Sequence, residues 1–213
     1  MNQRPYPSPA YNKLYNLLFA DDINLYNPNS ESKSEYPWNV LLSDKAEVAE
    51  LQTIAADTSL ESRLRSLAFN ILRSKGHTQN SKELLGIIVE VALDEGLDTL
   101  AAYKDRSARY INHSEKMTVW DAATNESQQL INNLFAAGLD VVKQIGPWGK
   151  ERLVAPKNGD IRISFLVADG LYFGQGPFEV LEKDKIGGPV VKAATQLMVF
   201  LVNQQHPGIL AHS

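Results

Sequence analysis

Gly86-Ile-Ile-Val-Glu-Val-Ala-Leu93 is the stretch of sequence that decides the fold. Before it, apolar residues recur every three or four positions, as in amphipathic helices. Within it, β-branched residues alternate with a period of two, which predicts a strand because successive side chains of a strand point to opposite faces of the sheet. We therefore expect the chain to change from helices to a sheet near residue 86.

Further strand segments follow directly downstream. Asp94-Glu95-Gly96 predicts a turn, and Leu97 to Tyr103 returns as a second strand. After a second turn, residues 108–113 and 117–120 continue the meander. They form either two strands or one long strand with a bulge at Ser114-Glu115, and the expected fold counts them as one strand.

Two long helices and two more strands complete this part of the chain. A cap at residues 124–125 begins a helix that ends before Gly146-Pro147. Alternation from Ile161 to Val167 predicts a strand, and Asp169-Gly170 predicts a hairpin into the next strand. A final amphipathic helix begins at Gly187-Gly188-Pro189.

The N-terminal part has helical patterning. Ser8-Pro9 can cap a short helix, and the polar, proline-containing segment 26–38 predicts an exposed loop. Two apolar stripes follow, from Val48 to Ala55 and from Leu60 to Leu72, with Gly76 after the second. These two segments predict a helical hairpin.

The order of elements predicts an α+β fold. We expect a five-stranded antiparallel sheet (β-β-β-α-β-β-α) with the two later helices on one face and the N-terminal helices at one end or edge. The expected regions are an N-terminal helical region, 1–82, and a sheet domain, 83–213, packed together as one compact unit.

The element order over residues 86 to 204 resembles the profilin-like architecture shared by longin and roadblock-type modules. Several segments are also similar to a family of uncharacterised bacterial proteins. These segments are Gly86-Ile-Ile-Val-Glu-Val, Leu100-Ala-Ala-Tyr103, Ala108-Arg-Tyr-Ile-Asn-His-Ser114, Ile145-Gly-Pro-Trp148 and Asp169-Gly-Leu-Tyr-Phe-Gly174. Neither resemblance implies an activity or a site residue. Ser114-Glu115-Lys116 departs from the glycine-containing turn of the similar proteins.

Composition narrows the functional classes. The net charge of −4, from 21 basic and 25 acidic residues, disfavours a nucleic-acid partner. The chain has no cysteine, which excludes disulfides and thiolate chemistry. The longest apolar run, Leu197 to Val202, is too short to cross a bilayer, and the N-terminus lacks the pattern of a secretory signal. We therefore expect a cytoplasmic protein without a membrane partner, and the sequence predicts no cofactor.

One face of the predicted sheet carries polar side chains. They are Glu90, Arg109, His113, Thr118 and Arg162. If all lie on the side away from the helices, they form a polar platform. The preferred interpretation is a solvated face whose charges pair across strands for at most about 1 kcal/mol each.

Three weaker site hypotheses remain from the sequence. His113 and Glu115 could be an acid–base pair or half of a metal site, but no third ligand is apparent and no metal is predicted. The helix N-terminus at Gly187 could bind an anion with help from Arg152 or Arg162. A polar pocket could form near Arg109, Arg152, Asp169 and Tyr172.

Two functional hypotheses from different classes follow. The first is a non-enzymatic module that binds a protein partner or self-associates, favoured by the element order and by the lack of a catalytic motif. The alternative is a small-ligand-binding protein or an enzyme that uses the polar pocket, so the sequence leaves open whether the protein is an enzyme.

Overall fold

The computed structural model describes residues 3–26 and 30–204, which form an α+β fold built on an antiparallel sheet. The α-helices in these residues are α1 (Pro9–Leu18), α2 (Ser30–Ser34), α3 (Trp38–Leu41), α4 (Val48–Ala56), α5 (Ser62–Ser74), α6 (Asn125–Val142), α7 (Phe178–Leu181) and α8 (Gly187–Gln204), and a short 3-10 helix spans Ile23–Leu25. The strands are β1 (Leu84–Leu93), β2 (Gly96–Tyr103), β3 (Ala108–Ile111), β4 (Met117–Trp120), β5 (Asp160–Val167) and β6 (Gly170–Pro177).

The sheet has the strand order β4-β3-β2-β1-β5-β6, and all neighbouring strands are antiparallel. β1 is central, and its Val89 lies opposite Leu100 of β2 and Ile163 of β5. Its near-continuous apolar sequence fits a strand that is covered on both faces. The change of hydrophobic period near residue 86 therefore marks the start of the sheet, as predicted.

The expected strand count of five is wrong, because residues 108–120 form two strands. Asn112 N–H donates to the Lys116 carbonyl at 3.0 Å, and the Asn112 side chain accepts from Lys116 N–H at 2.9 Å. Glu115 takes a positive φ of 59°. These bonds close a tight turn that reverses the chain, whereas a bulge would have preserved its direction.

Helices α6 and α8 pack on one face of the sheet, which we call the α6/α8 face, as predicted. Its core includes Ile87, Val89, Leu100, Ile163 and Phe165 from the strands. Gly138 lets α6 approach β1 closely, because a Cβ there would lie 2.6 Å from Ile87 Cδ1. The predicted cap of α6 is also present, since Thr124 Oγ1 accepts from Ser127 N–H at 3.1 Å.

Helix α1 covers the opposite face, which we call the α1 face, and does not lie at an end or edge of the sheet. Tyr15, Leu18 and Phe19 pack there against Ile88 and Ala101 of the strands. The sheet is thus a middle layer between helices, and both of its faces are buried near β1. This placement decides the surroundings of Glu90 and Arg162, which point away from α6 and α8.

The predicted helical hairpin is formed by α4 and α5. It has its own apolar cluster, which also contains Leu85 of β1 and Ala168. The segment predicted as an exposed loop, 26–38, contains α2 and leads into α3, so that prediction is wrong for this part; residues 27–29 lie outside the described residues. Val40 and Leu41 are buried, which anchors this segment on the core.

Candidate functional site

A cleft of about 250 Å³ lies between the α6/α8 face and helix α8. The strands contribute side chains that lie on the same face of the sheet, namely Val89, Val91, Leu93, Leu100, Tyr110 and Ile161. The helices contribute Phe178, Val191, Ala194 and Met198. Ten of the twelve lining residues are therefore apolar or aromatic, and Asp98 and Thr195 are the other two.

The sequence explains why a cleft opens at this place. Alternate residues of β1 and β2 project toward α8, as strand geometry requires. On the facing helix, Ala194 and Thr195 supply short side chains where a leucine would fill the space. The apolar surface is consequently left without a packing partner over this area.

Asp98 forms the polar end of the cleft. The Tyr110 hydroxyl donates to Asp98 Oδ2 at 2.6 Å, and the His113 backbone N–H donates to Oδ1 at 2.8 Å. His113 Nδ1 lies 3.0 Å from the same Oδ1. Burial raises the pKa of the Tyr110 hydroxyl well above its ordinary value, and the hydrogen bond to Asp98 raises it further. Tyr110 therefore keeps its proton and acts as a donor to the carboxylate.

A second polar centre lies on the α1 face and is closed to solvent. Arg162 Nε and Nη2 donate to the two carboxylate oxygens of Glu90, both at 2.7 Å. The Tyr15 hydroxyl donates to Glu90 Oε1 at 2.6 Å. Glu90 is 0% exposed and Arg162 is 1% exposed. This centre ties α1 to the sheet, and its burial leaves no approach for a substrate.

The preferred interpretation of a solvated polar face is therefore wrong around β1 and β5, because α1 covers it. Glu90, Arg109 and Arg162 do share the α1 face, since Arg109 lies opposite Ala101, and Glu90 lies opposite Arg162. Thr118 lies opposite Tyr110, which places it on the α6/α8 face. The five residues do not form a platform.

The four residues of the hypothetical polar pocket lie in three separate places, and only Asp169 and Tyr172 contact each other. Arg109 Nη2 pairs with Asp121 at 2.7 Å, whereas Arg152 Nε pairs with Asp21 at 3.0 Å next to α1. The Tyr172 hydroxyl donates to Asp169 Oδ2 at 2.9 Å near the opposite edge of the sheet, which β6 forms. Four strand spacings separate β3 from β6, or about 19 Å.

Tyr15 of α1 connects Arg152 with Arg162. The guanidinium of Arg152 stacks on the Phe19 ring at 3.8 Å and lies 5.5 Å from the Tyr15 ring. Tyr15 in turn binds Glu90, the partner of Arg162. Both arginines thus belong to the packing of α1 on the sheet.

Neither arginine lies at the N-terminus of α8. The Asp184 carboxylate accepts from Ile186 N–H at 2.9 Å and from Gly187 N–H at 2.6 Å. These bonds lower the pKa of Asp184. A carboxylate of the chain itself therefore occupies the position that a bound anion would have taken, which disfavours the anion hypothesis.

His113 and Glu115 do not form the acid–base or metal-binding pair that was one hypothesis from the sequence. The strand ends at Ile111, so the alternation that would put both side chains on one face stops before them. His113 turns to Asp98, while Glu115 Oε1 accepts from the backbone N–H of Ser8 at 2.6 Å. Among residues 3–26 and 30–204, no group of three or more acidic or histidine side chains could hold a metal ion.

Sequence reasoning included His113 among the site residues but missed Asp98. The available signal was a lone acidic residue inside an apolar strand, the same signal that identified Glu90 on β1. Tyr110 is 6% exposed and lines the cleft. Its hydroxyl reaches Asp98 because Tyr110 lies opposite Leu100, two residues beyond Asp98 on β2.

Comparisons with known protein families, with curated proteins and with solved structures found no match for this chain. In the described part of the chain, no helix is long and apolar enough to cross a membrane.

Proposed function

We propose that the protein binds a small, largely apolar molecule in the cleft between the sheet and α8. The observation that carries this proposal is the cleft of about 250 Å³ with ten apolar or aromatic lining residues and one carboxylate end. Ligand sites are typically apolar cavities with a few converging polar groups that fix orientation. The cleft has this composition, although its polar end differs from the pocket expected near Arg109 and Tyr172.

The size of the cleft limits the ligand. A cavity of about 150 Å³ lined by apolar side chains accepts benzene, which has six carbon atoms. Scaling to about 250 Å³ gives a ligand of about ten non-hydrogen atoms. A metabolite or signal molecule of this size fits, whereas a dinucleotide does not.

Thermal unfolding in the presence of ethylbenzene tests the proposal, because a ligand that binds only the folded state raises the melting temperature. We expect a rise that grows with ethylbenzene concentration in the wild type. Ala194→Leu adds a larger side chain to the cleft wall and is expected to abolish the rise. Val199→Leu, on the exposed side of the same helix, is the matched control and is expected to retain it. No rise in the wild type, or equal rises in the wild type and in Ala194→Leu, would contradict the proposal.

Self-association is a second candidate, supported by the position of β4 at one edge of the sheet. No strand in the described residues lies beyond β4. In an antiparallel pair of strands, hydrogen-bonded and non-hydrogen-bonded residue pairs alternate, and Asn112 is hydrogen-bonded to Lys116. The backbone N–H and carbonyl groups of Met117 and Val119 therefore point away from β3. The Val119 side chain is 54% exposed. Such an edge can pair with the same edge of a second copy.

Sedimentation velocity over a range of protein concentrations tests this candidate. We expect a concentration-dependent dimer in the wild type and a monomer for Val119→Lys, because a charge on a strand edge opposes pairing. A wild type that stays monomeric at the highest concentration would eliminate the candidate.

A further inference from the structure

The hydroxyl groups that line the cleft already donate hydrogen bonds within the protein. The Tyr110 hydroxyl donates to Asp98 at 2.6 Å, and the Thr195 hydroxyl donates to the Val191 carbonyl at 2.9 Å. Asp98 as a carboxylate has no hydrogen to donate. The cleft therefore presents acceptors to a ligand, and the ligand must supply the donors.

Asp98 also retains acceptor capacity. An ionised carboxylate offers about four lone-pair positions. His113 takes both contacts to Oδ1, and Tyr110 takes one contact to Oδ2. Among residues 3–26 and 30–204, Tyr110 is thus the one hydrogen-bond partner of Oδ2, which leaves this oxygen a further position for a donor that enters the cleft.

The electrostatic surroundings favour positive charge. The lining contains one carboxylate and no lysine or arginine. The β1–β2 turn next to Leu93 adds the exposed residues Asp94 and Glu95. His113 Nε2 lies 3.7 Å from Glu95, on the outer side of the ring. An anionic head group would meet the carboxylate of Asp98 with no lysine or arginine on the lining to offset the repulsion, which is unfavourable in a partly desolvated site.

We propose that the ligand of this cleft is a protonated amine with an apolar body, whose ammonium group donates to Asp98 Oδ2 and to the Tyr110 hydroxyl oxygen. The apolar body lies against Val89, Leu100 and Ala194, and the head group lies at the Asp98 end. This inference rests on the proposed function, since it assigns the chemical class of the ligand that the same cleft binds. Hydrogen bonds to charged groups are stronger than neutral ones, so the head group supplies both affinity and orientation.

Four probes with one apolar body and different head groups test the inference. They are 2-phenylethylamine, 2-phenylethanol, phenylacetate and ethylbenzene, and their dissociation constants are measured by ligand titration followed by nuclear magnetic resonance. A charge-assisted bond predicts that the amine binds about tenfold to a hundredfold more tightly than the alcohol. Phenylacetate is expected to bind more weakly than ethylbenzene.

Salt and two variants identify the source of the preference. The dissociation constant of the amine is expected to rise with ionic strength, while that of the alcohol stays constant. Asp98→Asn is expected to remove the preference for the amine. Asp140→Asn on α6 is the control, because its side chain is 69% exposed and does not line the cleft; it is expected to change the dissociation constant by less than about threefold. The titrations of the wild type stand even if Asp98→Asn fails to fold.

The outcomes separate the two proposals. If ethylbenzene and the amine bind the wild type equally well, the amine inference is overturned while the proposed cleft function stands. Tighter binding of phenylacetate than of the amine would overturn it in the same way. If none of the four probes binds, both proposals fail together.

Discussion

Replacing Glu90 by glutamine is expected to reduce the free energy of unfolding by about 3–5 kcal/mol, because it leaves a buried cation without a counter-charge. Glu90 is 0% exposed, and Arg162 donates to it through two bonds of 2.7 Å. The Arg162 cation also donates to the carbonyls of Leu153 and Val154, which hold it in the interior. It therefore cannot move to solvent when its partner changes.

The ion pair also affects the pKa of the Arg162 guanidinium. Burial alone would lower the pKa of Arg162, but the hydrogen bonds and the charge of Glu90 outweigh burial and raise it. An arginine guanidinium keeps its proton in a protein even without a carboxylate partner, so the Glu90→Gln variant cannot escape the cost by releasing a proton. This is why the expected loss belongs to the range for a broken buried pair and not to that of a neutral hydrogen bond.

Urea and thermal unfolding followed by circular dichroism measure the effect. For a chain of this length a loss of 1 kcal/mol lowers the melting temperature by about 2–4 °C, so we expect a fall of about 6–20 °C. Glu61→Gln is the control, because Glu61 pairs with Arg63 at 2.8 Å with its side chain 59% exposed, and such pairs contribute less than about 1 kcal/mol. Adding Arg162→Met to Glu90→Gln is expected to recover part of the loss. A loss for Glu90→Gln no larger than that for Glu61→Gln would refute the reasoning.

Two further predictions concern packing and pH. Gly188→Ala is expected to destabilise the fold by about 1–3 kcal/mol in urea unfolding, because its Cβ would lie 2.5 Å from the Glu182 carbonyl oxygen, whereas Gly149→Ala, with no atom within 4 Å of the new Cβ, is expected to be neutral. Equal stabilities of the two variants would contradict this. Glu83 accepts from Lys104 and Arg65, and these bonds outweigh burial and lower its pKa. Its contribution to stability is therefore present above the ordinary value of about 4.3 and is lost as pH falls through the lowered folded-state pKa. We expect the difference in unfolding free energy between the wild type and Glu83→Gln to shrink on acidification below about pH 4; a difference independent of pH would contradict the assignment.

Helices and strands whose apolar residues recur at a regular spacing were predicted well from sequence. β1, α6 and α8 appear where their apolar spacing placed them, because that spacing reports the period of a single element. The strand count failed at Asn112 to Lys116, where the outcome depends on one positive φ at Glu115 and on side-chain bonds of Asn112. Hydrophobic period does not encode such bonds.

The candidate site was harder to predict because it depends on contacts between distant elements. Alternation placed Glu90 and Arg162 on one face, but it did not show that α1 would cover that face through Tyr15, which is 75 residues from Glu90. The Asp98–Tyr110 pair depends on the register of β2 against β3. A lone acidic residue in an apolar strand therefore indicates a special position in the sheet. Whether that position is structural or binds a ligand depends on the element that packs against it.

Glu90 and Asp98 illustrate this dependence, because α1 packs over the first residue and α8 lies across the cleft from the second. Both are acidic residues inside apolar strands, and they lie on opposite faces of the same sheet. Glu90 meets a bidentate arginine and a tyrosine under α1, so its charge is balanced within the fold. Asp98 meets a hydroxyl, a backbone N–H and an imidazole, and it faces a cleft where α8 carries alanine and threonine. Because no lysine or arginine lies on that lining to balance Asp98, a cationic ligand is the partner that would complete the site in the way Arg162 completes the other one.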